Sequence, residues 1–173
     1  MAGNLYDKAQ SQQGFLQKIG SYIPGFGGYM NKETRREADK MERDFVADKL
    51  SAQKNGIKRC VDDLMSSGNY DGLAQYEKLM NKLDKVAAKI KSATQGYTGL
   101  FDTIKIDDAA LARIYQYDLG LVEAAKEVEL ATNELQGLAS DPTKASAKAR
   151  QLSDLVDRID DYFNKRAEAI AKS

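Results

Sequence analysis

A chain of 173 residues has the size of one domain and enough length to bury roughly 70% of the surface it would expose when unfolded. Its 26 basic and 26 acidic residues cancel, which gives no general attraction to nucleic acid, and a single cysteine, Cys60, excludes an internal disulfide framework. No histidine is present, so the side chain most used for proton transfer and metal binding near neutral pH is missing.

Residues 1–13 are polar and lack the charged start and apolar run of a signal peptide, and no stretch approaches the 18 or so apolar residues of a membrane span. A cytoplasmic protein is the expectation. Residues 14–30 then combine a short amphipathic helix, with Phe15, Leu16, Ile19, Tyr22 and Ile23 on one face, and a break at Ile23-Pro24-Gly25-Phe26-Gly27-Gly28. From Lys8 to Lys32 there is no acidic residue, so Lys8, Lys18 and Lys32 leave this end locally basic. The glycine run follows no strand and lacks the Gly-Lys-Ser/Thr ending of a phosphate loop.

The first long helix is expected over 31–66, capped by Asn31 and ended at Gly68 by a left-handed residue. Arg35, Asp39, Lys40, Arg43 and Asp44 are spaced to lace its surface with opposite charges. Ala38, Met41 and Phe45, then Leu50, Ile57, Val61 and Leu64, supply apolar groups. Between them Asn55-Gly56 is a weak point, costing about 1 kcal/mol against alanine, at which the helix can bend. Cys60, one turn before Leu64, reads as a small buried hydrophobe rather than a nucleophile, because no histidine is available to activate it.

The second helix, from 69 or 71 to 94, places Leu73, Tyr76, Met80, Leu83, Ala87 and Ile90 in alternating steps of three and four, widened by Leu79 and Val86. The third starts at Asp107-Asp108, with Ile106 placed to staple against Leu111, and its seam reads Leu111, Ile114, Asp118, Leu121, Ala125, Val128, Thr132, Leu135. Asp141 caps the fourth and Pro142 takes its first position, which needs no amide hydrogen. Its seam is Ala145, Ala149, Leu152, Val156, Ile159, Phe163, Arg166, Ile170.

Short connections at Gly68 and Pro142 make consecutive helices antiparallel, so the expected fold is all-α: an up-down-up-down antiparallel four-helix bundle over residues 31–173, preceded by the N-terminal amphipathic helix and Gly/aromatic loop of residues 1–30. The aromatic-rich connection 95–106 and the N-terminal segment should then meet at one end and form the interaction surface: Phe15, Ile19, Tyr22, Ile23, Phe26 and Tyr29 with Tyr97, Leu100 and Phe101. Asp118 and Arg166 are the charged residues on otherwise apolar seams. They lie nearly equally far from the turn at 141–142, which predicts a buried ion pair across an antiparallel pair.

No catalytic, cofactor or metal constellation is recognisable. The functional expectation is a non-enzymatic intracellular bundle that binds a protein partner or a second copy of itself. The alternatives are a peripheral membrane protein using residues 14–30 and a ligand-binding or enzymatic site between helices.

Overall fold

Each long helix buries one seam, and five helices result: α1 (Ala2–Tyr22), α2 (Lys32–Ser66), α3 (Leu73–Ser92), α4 (Asp108–Gln136) and α5 (Pro142–Ala171). The structure is a computed structural model that describes residues 2–28, 32–93 and 107–172, with side chains described from Ser11 onward and, in α2, from Arg36 onward. Among the described residues there is no strand. Tyr29, Asn31, Tyr97, Leu100, Phe101 and Ile106 lie outside the described residues, and with them the cap, the staple and the aromatic connection expected there.

The stop and start signals operate through backbone groups. Gly68 takes φ +72, and two bonds, Gly68 N–H to Met65 O and Asn69 N–H to Leu64 O, satisfy the last carbonyls of α2. A second left-handed glycine, Gly72 at φ +88, delays the start of α3 to Leu73. Asp107 accepts from Ala110 N–H at 2.7 Å and Asp141 from Lys144 N–H at 3.1 Å, with Pro142 in the first turn of α5.

Consecutive long helices run antiparallel. Lys54 meets Asp84 and Lys91 meets Asp48 across α2/α3, while Glu134 meets Lys148 across α4/α5. The two hairpins lie side by side, with α2 against α4 and α3 against α5. Each of these pairs runs in the same direction: Lys49 bonds Glu129 while Gly56 faces Thr132 and Gln136, and Gln75 bonds Ser146 while Lys89 bonds Asp160. The core between them holds Val46, Leu50, Ile57, Leu83, Ile90, Ile114, Leu121, Val128, Leu152, Val156 and Ile159, all essentially without solvent contact.

Two expectations about local structure change. The N-terminal helix is not short: α1 runs 21 residues and ends where Pro24 forbids continuation. Nor does Gly56 interrupt its helix, since α2 runs unbroken through it for 35 residues. A Cβ at Gly56 would meet Thr132 Cγ2 and Gln136 Nε2 at 2.7 Å, so the missing side chain is what lets α2 approach α4. Gly120 does the same for α4 and α5, where a Cβ would sit 3.2 Å from the Tyr162 ring.

On helix propensity alone, Gly56→Ala would stabilise an exposed helix by about 1 kcal/mol. In this packing Thr132 is fully buried and cannot swing away, so the expected sign is opposite. Urea denaturation should show Gly56→Ala less stable by roughly 1 to 3 kcal/mol.

Candidate functional site

Along α2 the buried side is Asp39, Arg43, Val46, Leu50, Gln53, Ile57, Cys60 and Leu64, so the three-four alternation runs straight through two charged residues. Asp39 and Arg43 were expected on the surface. They pair at 2.8 Å as expected for positions four apart, but the pair is buried rather than solvated. Lys40 and Asp44, by contrast, form an outward-facing pair at 2.7 Å.

Asp39 and Arg43 belong to a network centred on Arg166 of α5. Arg166 Nε lies 2.5 Å from Asp118 Oδ1 of α4, and both residues have 0% exposure. Arg166 Nη2 reaches across the bundle to α2, lying 2.9 Å from Asp39 Oδ1 and 3.1 Å from Glu42 Oε2. Arg43 donates from Nε to Asp39 and from Nη1 toward the carbonyls of Ile90 and Lys91, at 3.5 and 3.3 Å. Those carbonyls lie in the last turn of α3, so a guanidinium there meets the negative end of the helix dipole. All four long helices are thus joined at one level.

Five ionisable groups in a core require charge balance, because an unpaired buried ion costs several kcal/mol. Two guanidinium groups face three carboxyls. Burial pushes the Glu42 carboxyl well above the usual carboxylate range; Arg166 pulls it down, and Asp118 and Asp39 push it up further. Neither Glu42 oxygen receives a well-directed hydrogen bond from a described residue, and Asp118 lies close enough to hydrogen-bond with it. Burial thus favours the protonated form of Glu42, whose carboxyl can donate to Asp118. Sequence reading identified Asp118 and Arg166 but missed Asp39, Glu42 and Arg43.

The aromatic and apolar residues expected to form a contact surface are largely spent inside the chain. Ile19, Ile23 and Phe26 are buried, and Phe15, Leu16 and Tyr22 are half-buried against the core. α1 lies along the flank of α4 rather than over the end of the bundle. Gln12 donates to the Asp108 carbonyl, Lys18 lies 3.7 Å from Glu123, and a Cβ on Gly28 would strike Leu16 and the Tyr115 hydroxyl. Gly28 has φ +75, so both space and backbone demand glycine there.

Cys60 is buried beside Gly56, with its thiol directed to the Gly56 carbonyl, and burial pushes its acidity toward the protonated form. Among the described residues no group of potential ligands is arranged to hold a metal ion, and no helix is long and apolar enough to cross a membrane.

The outward side of α3 and α5 carries two open hollows of about 540 and 520 Å³ that share Lys82. One is lined by Gln75, Lys78, Ser146, Arg150 and Ser153 above Leu79 and Ala149. The other is lined by Asn81, Lys85, Lys89, Asp157 and Asp160 beside Val86. Comparison with protein-family models, with curated proteins and with solved structures finds no match.

Removing one arm of the network should expose its energetics. Arg166→Met leaves buried carboxylates without their cation, and the expected loss is roughly 3 to 5 kcal/mol by chemical denaturation at neutral pH. Glu42→Gln should act differently. Folded Glu42 holds its proton more tightly than the unfolded chain, so above pH 4.5 the native state binds more protons and stability falls as pH rises. The glutamine variant has no such penalty, and its stability relative to the parent should grow steadily with pH above that point. A difference independent of pH would contradict a protonated Glu42.

Proposed function

We propose that the chain is a non-enzymatic intracellular helical-bundle module for protein–protein interaction or scaffolding, and that its contact face is the outward side of α3 and α5 rather than the N-terminal segment. The furrow formed by the two hollows supports this reading most. It is open to solvent, is rimmed by long polar side chains, and offers its apolar area through their aliphatic stems, since Leu79, Val86 and Ala149 beneath them are buried in the core.

Two further observations favour it. Glu42, Cys60 and Tyr76, whose burial shifts their acidity, line neither hollow. The apolar residues from Ile19 to Phe26 that membrane docking would require are packed within the chain.

A photo-reactive amino acid placed at position 78 or 85, and separately at positions 18 and 58 as comparison surfaces, tests the assignment in native cells. The result expected is one discrete adduct from positions 78 and 85 that is absent from 18 and 58. An adduct at twice the chain mass identifies a second copy as the partner. Adducts confined to position 18 or 58, or none from any position, would overturn the proposed face.

A further inference from the structure

Ion pairing across the α3/α5 furrow is incomplete. Lys82 is held by Asp157 and Ser153, and Lys89 by Asp160 and Asn164. Lys78, Lys85 and Arg150 line the same furrow and make no ion pair with any described residue. Asp154, one turn beyond Arg150, does not reach it. In a neutral chain whose other bundle faces carry matched pairs such as Lys49–Glu129, Lys54–Asp84 and Lys148–Glu134, three unmatched cations on one face are a local excess of one sign.

Their placement follows a rule. Lys78, Lys82, Lys85 and Lys89 succeed one another in steps of four, three and four, which sets them in one row along α3. Gln75 to Lys89 spans about 21 Å, far longer than a single phosphate or carboxylate needs and suited to about four turns of helix. A charged row flanking an apolar strip is how helices choose oppositely charged neighbours in coiled coils.

Resting on the interaction reading above, we infer that the furrow receives an acidic amphipathic helix of a partner protein. Its glutamates or aspartates, repeated in three-four steps, meet Lys78, Lys85 and Arg150, and its small apolar residues pack on the aliphatic stems of those same side chains. Lys82 and Lys89 keep their internal aspartates, which fix the rim and leave the open cations to recognise the ligand. Gln75 and Ser146 bond each other and Ser153 accepts from Lys82, which holds the polar edge of the furrow in place.

The test uses the full chain and a synthetic helical peptide with glutamates in three-four steps beside alanine and leucine, labelled for fluorescence anisotropy. A matched peptide with lysine for glutamate and inorganic pyrophosphate are titrated in parallel. Binding of the glutamate peptide, weakened by about tenfold or more in the Lys78→Glu, Arg150→Glu double variant and unchanged in Lys58→Glu, is the result expected. Binding should also weaken between 50 and 500 mM salt, since these contacts are exposed and screened, at a Debye length of about 10 Å at 0.1 M.

Equal binding of the lysine peptide, binding of pyrophosphate alone, or insensitivity to the double variant would overturn the inference. So would absence of peptide binding. In that last case adducts from positions 78 and 85 would show that the face is used by a partner of different chemistry, which separates failure of the acidic-helix inference from failure of the interaction reading.

Discussion

The guanidinium of Arg166 is the point on which the arrangement of the bundle depends. It is fully buried, it lies 2.5 Å from Asp118 on α4 and about 3 Å from Asp39 and Glu42 on α2, and Arg43 extends the same network to the last carbonyls of α3. An ion pair at 4 Å is worth about 4 kcal/mol at an effective dielectric constant near 20, whereas desolvation costs several kcal/mol for each ion. These terms nearly cancel, so the network contributes little net stability. Its effect is on alternatives: sliding any one helix by a turn would strand charges in the core. A lysine in place of Arg166 could not serve, because a single ammonium lacks the planar set of donors that meets carboxyls on two different helices.

Charge balance at this centre has consequences outward. Burial favours the protonated Glu42, which lowers the charge the core must hold, and the rest of the interface is apolar and closely packed. Gly56 and Gly120 bring α2, α4 and α5 near enough for Thr132 and Tyr162 to fill the gaps. α4, in contact with α1, α2 and α5, is buried on most of its circumference, as the burial of Leu121, Val122, Ala124 and Ala125 reflects. The α3/α5 side is left as the furrowed face, because the parallel pair there meets through small residues, Ser146, Ala149 and Ser153, and long lysines rather than through interlocking apolar side chains. The interaction reading grows out of that asymmetry.

Much of the fold was legible in the sequence because α3, α4 and α5 repeat apolar residues at helical spacing and are bounded by Asp107, Asp141, Pro142 and Gly68, whose backbone roles are local. Asp118 and Arg166 were legible for the same reason, as charges on otherwise apolar seams at matched distances from a turn. Asp39, Glu42 and Arg43 were not. On α2 the half-buried Met41 and Phe45 draw the eye to a neighbouring phase, while the true seam passes through charged residues that look like surface pairs. The alternation from Val46 through Leu64, extended backward by steps of three and four, lands on Arg43 and Asp39 and was the signal available. The close approach at Gly56 was not legible, because it depends on a partner that is distant in sequence. The length of α1 was hidden by its polar first half, which carries no apolar period.

The protonation state of Glu42 is the most direct measure of this centre, since the charge of the network depends on it. Carbon-detected NMR of the side-chain carboxyl, followed from acid to alkaline pH on the folded protein, reads it without a substitution. The result expected is a carboxyl signal that keeps its protonated position well above the pH at which an ordinary glutamate titrates. A signal that titrates near 4.5, as an ordinary glutamate does, would show an ionised Glu42 and contradict the balanced buried network.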